Sequence, residues 1–333
     1  MKKIRWGVMG TGGISKSFVS DFPYVTGGEL LAVGSRSQES ADRFAQTHQI
    51  PRAYASYEAL VSDSEIDAIY IGTPHPYHKE NALIALRAGK AVLCEKPFTM
   101  NARELEELIA CAAEHKQFLM EAMWTRFLPV FRKIREWIDA GRIGEIRQVK
   151  ADFGFRLPDD YDPQGRLLNK ELGGGAFLDA GIYPLSLASM VFGAEPAKAV
   201  STVQIGPSGV DEQYSILLTY PGGQTALLNG AVRLALPNEA YLIGTKGYIH
   251  IPALFLNSKS ATLHLHGNEE GNETYVDDRA SSGYSFEIEE VNRCLQAGLN
   301  ESPVMPLQES LDIMQLMDRI RKDWGLQYSA DLK

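Results

Sequence analysis

Ile4-Arg5-Trp6-Gly7-Val8-Met9-Gly10-Thr11-Gly12-Gly13-Ile14-Ser15 decides the fold, because an apolar run passes directly into a glycine-rich turn and then into a helical pattern. Gly10 permits a tight turn, and Gly12 lets backbone approach a pyrophosphate whose charge the following helix N-terminus stabilises. Ser15 stands where a third glycine or alanine would be expected. A lone glycine motif is a weak signal. Set between a strand and a helix, with a second strand about 20 residues on, it reads as a dinucleotide site. Gly10, Thr11, Gly12, Gly13 and Ile14 are the expected contacts.

Working outward, short apolar runs alternate with amphipathic helical stretches as far as Trp124, the mark of parallel βαβ units. Strands are expected at Ile4–Met9, Leu30–Gly34, Ala68–Gly72, Ala91–Cys94 and Phe118–Ala122, with helices near Ile14–Asp21, Gln38–His48, Tyr77–Ala88 and Ala102–His115. Asn101 followed by Glu104 has the spacing of a reciprocal N-terminal cap, and Gly89 ends the preceding helix. Beyond a helix at Leu128–Ala140 the texture changes. A strand-like run from Ile146, a glycine-initiated helix (Gly175–Phe192) and alternating strands and turns to Val276 predict an antiparallel sheet. Helices at Phe286–Ala297 and Leu307–Trp324 follow. The chain of 333 residues exceeds one typical core. The expected class is therefore α/β: a Rossmann doubly wound parallel sheet over residues 1–124, then an α+β domain with a large, mostly antiparallel open sheet over 125–333, whose last helices can pack back on the first domain.

The second strand ends at Ser35-Arg36-Ser37, where an Asp or Glu would bind the ribose hydroxyls of NAD. Arg36 can instead pair with a 2′-phosphate while Ser35 leaves room, so NADP(H) is preferred and NAD(H) remains able to serve. Arg36 alone is also readable as a solvated residue at a helix start. In Gly72-Thr73-Pro74-His75-Pro76-Tyr77-His78, Thr73 and His75 are placed to touch cofactor, whereas His78 is expected to cap or pack the next helix. No metal is expected, because no carboxylate completes a ligand set around these histidines.

Ala91-Val92-Leu93-Cys94-Glu95-Lys96-Pro97 is an apolar run that stops on a carboxylate, an ammonium and a proline. Ligands of open α/β sheets lie at the carboxyl ends of strands, so Lys96 stands where a substrate would lie, with Glu95 beside it. By itself the tetrad is equally readable as a solvated strand end. In Gly173-Gly174-Gly175-Ala176-Phe177-Leu178-Asp179-Ala180-Gly181-Ile182-Tyr183-Pro184, Asp179 and Tyr183 are four residues apart and share a helix face. An acid and a phenol so placed suit proton transfer, although a packed Tyr183 bonded to Asp179 reads the same residues as well.

Net charge of −9 argues against a nucleic-acid or anionic-membrane binder, whose phosphates call for clustered Lys and Arg. A small-molecule partner is expected. Three scattered cysteines, Cys94, Cys111 and Cys294, form neither a disulfide framework nor a zinc site and read as buried thiols of a reducing compartment. No apolar run approaches a bilayer span, and glycines arrive too soon after Met1 for a signal peptide, so a cytoplasmic location is expected.

The glycine turn, Glu95-Lys96-Pro97 and the Gly-Gly-Gly-Ala-x-x-Asp-x-Gly-x-Tyr run follow one another as in the Gfo/Idh/MocA oxidoreductases, a family this chain resembles along almost its whole length. The narrower likeness is to its dimeric, NADP-dependent members acting on trans-dihydrodiols or on aldoses such as D-xylose. It is carried by segments such as Ile50–Glu58, Leu119–Phe127 and Glu301–Leu307. The resemblance implies that Lys96 and Tyr183 are the catalytic pair with Asp179 beside them, that Glu95, Lys96 and Pro97 border the cofactor, and that Pro97 is cis. It also implies that Trp124 and Phe153 wall the substrate and that the C-terminal sheet forms a homodimer. The implied reaction is hydride transfer between a nicotinamide and a secondary alcohol or sugar hemiacetal. Other sugar, inositol or keto-sugar oxidoreductases of the family, and a non-catalytic NADP(H) sensor, are the competing readings.

Overall fold

Six strands form one parallel sheet in the computed structural model, which describes residues 2–332. They are β1 (Ile4–Met9), β2 (Gly28–Gly34), β3 (Arg52–Tyr54), β4 (Ala68–Ile71), β5 (Ala91–Glu95) and β6 (Leu119–Ala122), in the order β3-β2-β1-β4-β5-β6. Every residue of β4 and β5 is buried, as expected of strands covered by helices on both faces. The helices are α1 (Gly13–Ser20), α2 (Gln38–His48), α3 (Tyr57–Val61), α4 (His78–Arg87) and α5 (Ala102–His115). Strand order reverses between β1 and β4, the switch point where such sheets open a crevice. Phe18 of α1 stacks on Tyr70 of β4 with ring centroids 3.6 Å apart, and Trp6 meets Phe18 edge-on. Each such buried ring contributes about 1.5–3 kcal/mol.

The cap expected on α5 is present and reciprocal: Asn101 Oδ1 accepts from the Glu104 N–H at 3.0 Å, and Glu104 Oε2 accepts from the Met100 N–H at 3.1 Å. Gly89, with φ of +75°, follows α4. Two elements were not foreseen. β3 and α3 contain three and five residues, too few for a period of 2 or 3.6 to declare itself. A short 3₁₀ turn, His75–Tyr77, with Pro76 at its centre, leads into α4.

The second sheet has eight strands: β7 (Ile146–Gly154), β8 (Lys198–Ile205), β9 (Asp211–Thr219), β10 (Thr225–Ala231), β11 (Ala240–Gly244), β12 (Gly247–Ile251), β13 (Ser260–Leu265) and β14 (Glu273–Val276). Their order is β14-β13-β12-β11-β7-β10-β9-β8, and every pair is antiparallel except β7 with β10. Burial alternates along β9, β11 and β12, so one face is covered. The other carries exposed Val200 and Leu217 and the stacked pairs Tyr241/His250 and Tyr248/His264. Helix α6 (Pro129–Asp139) precedes this sheet. The helix expected from Gly175 to Phe192 is instead a π-helical turn, Phe177–Gly181, continued by α7 (Ile182–Phe192). The helical stretch 170–192 is long and apolar enough to cross a membrane, but it is mostly buried inside this unit.

The chain forms two compact units: one holds the residues up to Phe127 together with Ala280–Leu311, the other Leu128–Arg279 with the residues from Asp312. Helices α8 (Tyr284–Gln296) and α9 (Leu307–Asp323) complete the element order. Within the first unit the returning segment is anchored by Asp21, whose carboxylate accepts from the N–H groups of Ser282, Gly283 and Ser285, and by Trp6 Nε1, which donates to Asn292 at 3.0 Å.

Candidate active site

Strand register sets the cofactor edge of the first unit. Met9 of β1 lies opposite Ile71 of β4, which lies opposite Cys94 of β5, so Gly10, Gly72 and Glu95 follow side by side at the carboxyl edge. Gly10 has φ of +104°, and a Cβ there would sit 3.1 Å from the Gly72 carbonyl oxygen. Only glycine makes that turn without strain. Gly12 is the N-cap of α1 with no side chain capping it, and Gly13 faces open space. The first amides of α1 are thus left for an anion. Ser15 is fully buried, and a Cβ on Gly72 would overlap its hydroxyl, so the third small position packs α1 onto β4.

Beside this turn, Thr11, Gly12, Gly13, Lys16, Ser40 and Arg43 help line a recess of about 350 Å³, large enough for part of a nucleotide. Lys16 and Arg43 bring cations to it that sequence reading passed over, since basic residues on amphipathic helices look like ordinary solvated positions. Arg36 is exposed, with its guanidinium 6.0 Å from the Tyr77 ring centre, and it borders a cavity of about 60 Å³ with Tyr57, Thr73, Pro74, Tyr77 and Asn81. Ser35 is buried at the end of this strand, and its N–H donates to Tyr54 O. Ser37 caps α2, its hydroxyl accepting from the Ser40 N–H.

Thr73 and His75 are both buried at this edge. Thr73 Oγ1 accepts from Asn81 Nδ2 at 3.0 Å. His78 does more than pack α4: its Nε2 lies 2.8 Å from Thr73 O and its Nδ1 2.9 Å from Pro97 O, bracing the two loops of the edge against each other. Burial pushes its pKa below the ordinary value, and a neutral ring donates to one of these carbonyls at a time. The Lys96–Pro97 bond is cis. Glu95 is buried; its Oε1 accepts from Tyr70 Oη at 2.7 Å and its Oε2 from the Lys96 N–H at 3.2 Å. Glu287 on α8 is completely buried with no hydrogen-bond partner for either oxygen. Burial, then Glu95 and Asp21, push its pKa well above its ordinary value. Glu121 accepts from the Phe98 N–H at 3.2 Å and from Ser310 Oγ at 2.8 Å, holding the backbone just past Pro97. Trp124 is buried with one face stacked on Tyr284 at 4.9 Å.

In the second unit, Tyr183 is buried near the start of α7 and meets Phe153 of β7 edge-on, with ring centres 5.6 Å apart. Asp179 lies in the π turn and is held by Arg166 through bonds of 2.9 and 3.4 Å. Desolvation works against the Arg166 cation, although its side chain is 44% exposed, and the Asp179 carboxylate raises its pKa. Arg166 escaped the sequence reading because it lies in an irregular Asp-, Pro- and Gly-rich stretch that has no period. The glycines before the π turn are crowded by the unit itself: a Cβ on Gly174 would lie 2.9 Å from the carbonyl oxygens of Arg166 and Asn169. Among the described residues no group of three or more His, Cys, Asp or Glu could hold a metal, and Cys94, Cys111 and Cys294 are buried free thiols.

Comparison with known proteins identifies the family. Residues 4–123 match the profile of an oxidoreductase family with an NAD-binding Rossmann fold, and residues 131–250 that of the GFO/IDH/MocA C-terminal domain. The chain is 40% identical to trans-1,2-dihydrobenzene-1,2-diol dehydrogenase of Xenopus laevis over 97% of its length and 99% of the relative's. To the Homo sapiens enzyme of the same name it is 37% identical, over 98% and 99%. It also resembles the crystal structure of a 3-ketoreductase from Actinomadura kijaniata in complex with NADP and TDP-benzene, with 27% identity, a TM-score of 0.84 and coverage of 96% and 98%. With near-complete coverage in both sequence and fold, the chain belongs to the Gfo/Idh/MocA oxidoreductases and is an NAD(P)-dependent dehydrogenase acting on CH–OH groups.

Proposed function

We propose that the protein oxidises a trans-dihydrodiol, or an aldose such as D-xylose at its hemiacetal carbon, with NADP(H) as the preferred cofactor. The observation that carries this reading is the alignment of Gly10, Gly72 and Glu95, followed by Lys96, along one carboxyl edge of the parallel sheet. Similarity to trans-1,2-dihydrobenzene-1,2-diol dehydrogenases over nearly the whole chain supports the substrate class. The residues fit the cofactor: a glycine turn too crowded for a Cβ, uncapped amides on α1, and Lys16, Arg36 and Arg43 as countercharges to phosphate. Thr11, Gly12, Gly13 and Ile14 would hold the pyrophosphate; Ser35 and Arg36 the adenosine 2′-phosphate; Thr73, His75, Glu95, Lys96 and Pro97 the edge along which the nicotinamide half lies.

When bound, the nicotinamide accepts or supplies the hydride. Tyr183 takes the proton of the reacting hydroxyl during oxidation and returns it during reduction. Lys96 favours the phenolate and stabilises negative charge developing on the substrate oxygen. Asp179, itself fixed by Arg166, orients the phenol. Trp124 and Phe153 are assigned to the apolar walls of the substrate site. The aromatic and apolar outer face of the eight-stranded sheet is assigned to a homodimer, because such a face gains stability from cover. Three buried thiols fit a cytoplasmic location.

The test is NADPH formation with trans-1,2-dihydrobenzene-1,2-diol, pentoses, hexoses and inositols. Turnover of the diol or of D-xylose is expected to exceed that of the other alcohols, with NADP used more efficiently than NAD. Equal or better use of NAD contradicts the cofactor preference. Inertness toward the whole panel contradicts the reaction. A second reading, reduction of a keto-sugar, is favoured by the likeness to the 3-ketoreductase and would show as NADPH consumption by keto-sugars only.

A further inference from the structure

Asp211, the first residue of β9, is completely buried 34 positions away from the segment it touches, and its Oδ2 accepts from the Phe177 N–H at 2.6 Å. That amide opens the π turn carrying Asp179 and running into α7 and Tyr183. A Cβ on Gly175, where φ is +119°, would overlap Asp211 Oδ1 and lie 3.1 Å from Tyr328 Oη. Tyr328 Oη in turn donates to Gly174 O at 2.6 Å. Tyr328 is secured by its own N–H bond to Asp331 at 2.9 Å and by the Arg321 guanidinium 5.1 Å from its ring centre. The far side of the turn is closed by aromatic packing of Phe177 against Tyr214 and Trp324. A buried carboxyl on the first amide, a phenol on the preceding carbonyl and rings against the first side chain define the turn from three directions. π turns are uncommon and concentrate at functional sites, so one this firmly held calls for an account.

We infer that Asp211 and Tyr328 are positioning residues of the active site, fixing the π turn so that Asp179 and Tyr183 keep the orientation hydride transfer needs. This rests on the catalytic role proposed for Tyr183. Burial pushes Asp211 up to about 7 while the Phe177 and Ala176 amides pull it down, as expected of a carboxyl retained for its hydrogen bonds at a cost in burial. The purpose of Gly175 is then to let Asp211 reach the turn.

The test uses the full chain, NADP and trans-1,2-dihydrobenzene-1,2-diol, with NADPH affinity from fluorescence and folding from thermal melts. Asp211→Ala is expected to lower kcat about 10–100-fold, as a misplacement near 1 Å does, and to leave NADPH affinity unchanged. Asp211→Asn keeps an oxygen for the Phe177 amide and is expected to recover most of that loss. Tyr328→Phe is expected to lower kcat less than Asp211→Ala, and it decides the matter if Asp211→Ala fails to fold. A folded Asp211→Ala or Tyr328→Phe enzyme with wild-type kcat overturns the inference, as does an Asp211→Asn enzyme as slow as Asp211→Ala. Tyr183→Phe separates the two levels. If it is impaired while Asp211→Ala is normal, only the positioning role falls; if it is fully active, the catalytic reading falls and takes this inference with it.

Discussion

The two units hold their chemical residues by different means. At the parallel sheet's edge, Gly10, Gly72 and Lys96 are placed by backbone register, each one residue beyond the end of a strand. Asp179 instead sits on a π turn, and Tyr183 on the helix it runs into, both held by side chains from elsewhere: Arg166, Asp211 and Tyr328 around the π turn, Phe153 against the phenol ring. Sheet register is cooperative and shared by many hydrogen bonds, so the first arrangement tolerates the loss of any one side chain near it. The second depends on a few contacts between residues distant in sequence, and single substitutions should disturb it.

The largest expected effect tests the chemistry of the sheet edge. Lys96→Met should lower kcat by about 10²–10⁴-fold if the ammonium assists proton transfer, with NADPH affinity nearly intact because register, not Lys96, builds the edge. Joint loss of cofactor binding would break the distinction between scaffold and chemistry. Next in size, Arg36→Ala should raise the KM for NADP about 10–100-fold by removing a charged hydrogen bond to phosphate, and leave NAD use unchanged. An equal loss with both cofactors would assign Arg36 to general binding. The smallest effect concerns the support behind the edge. Burial pushes Glu121 up to about 7, above its unfolded value, so its contribution to stability is full at low pH and is lost as pH rises through about 7. The Tm of the wild type should fall between about pH 5 and pH 8, and Glu121→Gln, able to serve both Ser310 and Phe98, should flatten that slope. An unchanged slope would show that Glu121 is not the group responsible.

The same contrast explains what could be read from the chain alone. The glycine turn, the strand ends and the α5 cap are local, with causes within four or five residues of their effects. They were legible. β3 and α3 escaped because they are shorter than the periods that would reveal them, and the Gly175–Phe192 helix was misread at its start because the π turn is written at Asp211 and Tyr328. Lys16 and Arg43 resemble solvated helix residues until the fold places them beside Gly12. Arg166 could not be singled out within its stretch, since its partner Asp179 lies 13 positions on, across an irregular loop.

Turnover of trans-1,2-dihydrobenzene-1,2-diol with NADP by Tyr183→Phe, against the wild type and with NADPH affinity measured alongside, tests the central claim most directly. A fall in kcat of about 10²–10⁴-fold at unchanged NADPH affinity is predicted, because only the proton-transferring hydroxyl is removed. Wild-type turnover by Tyr183→Phe would contradict the account.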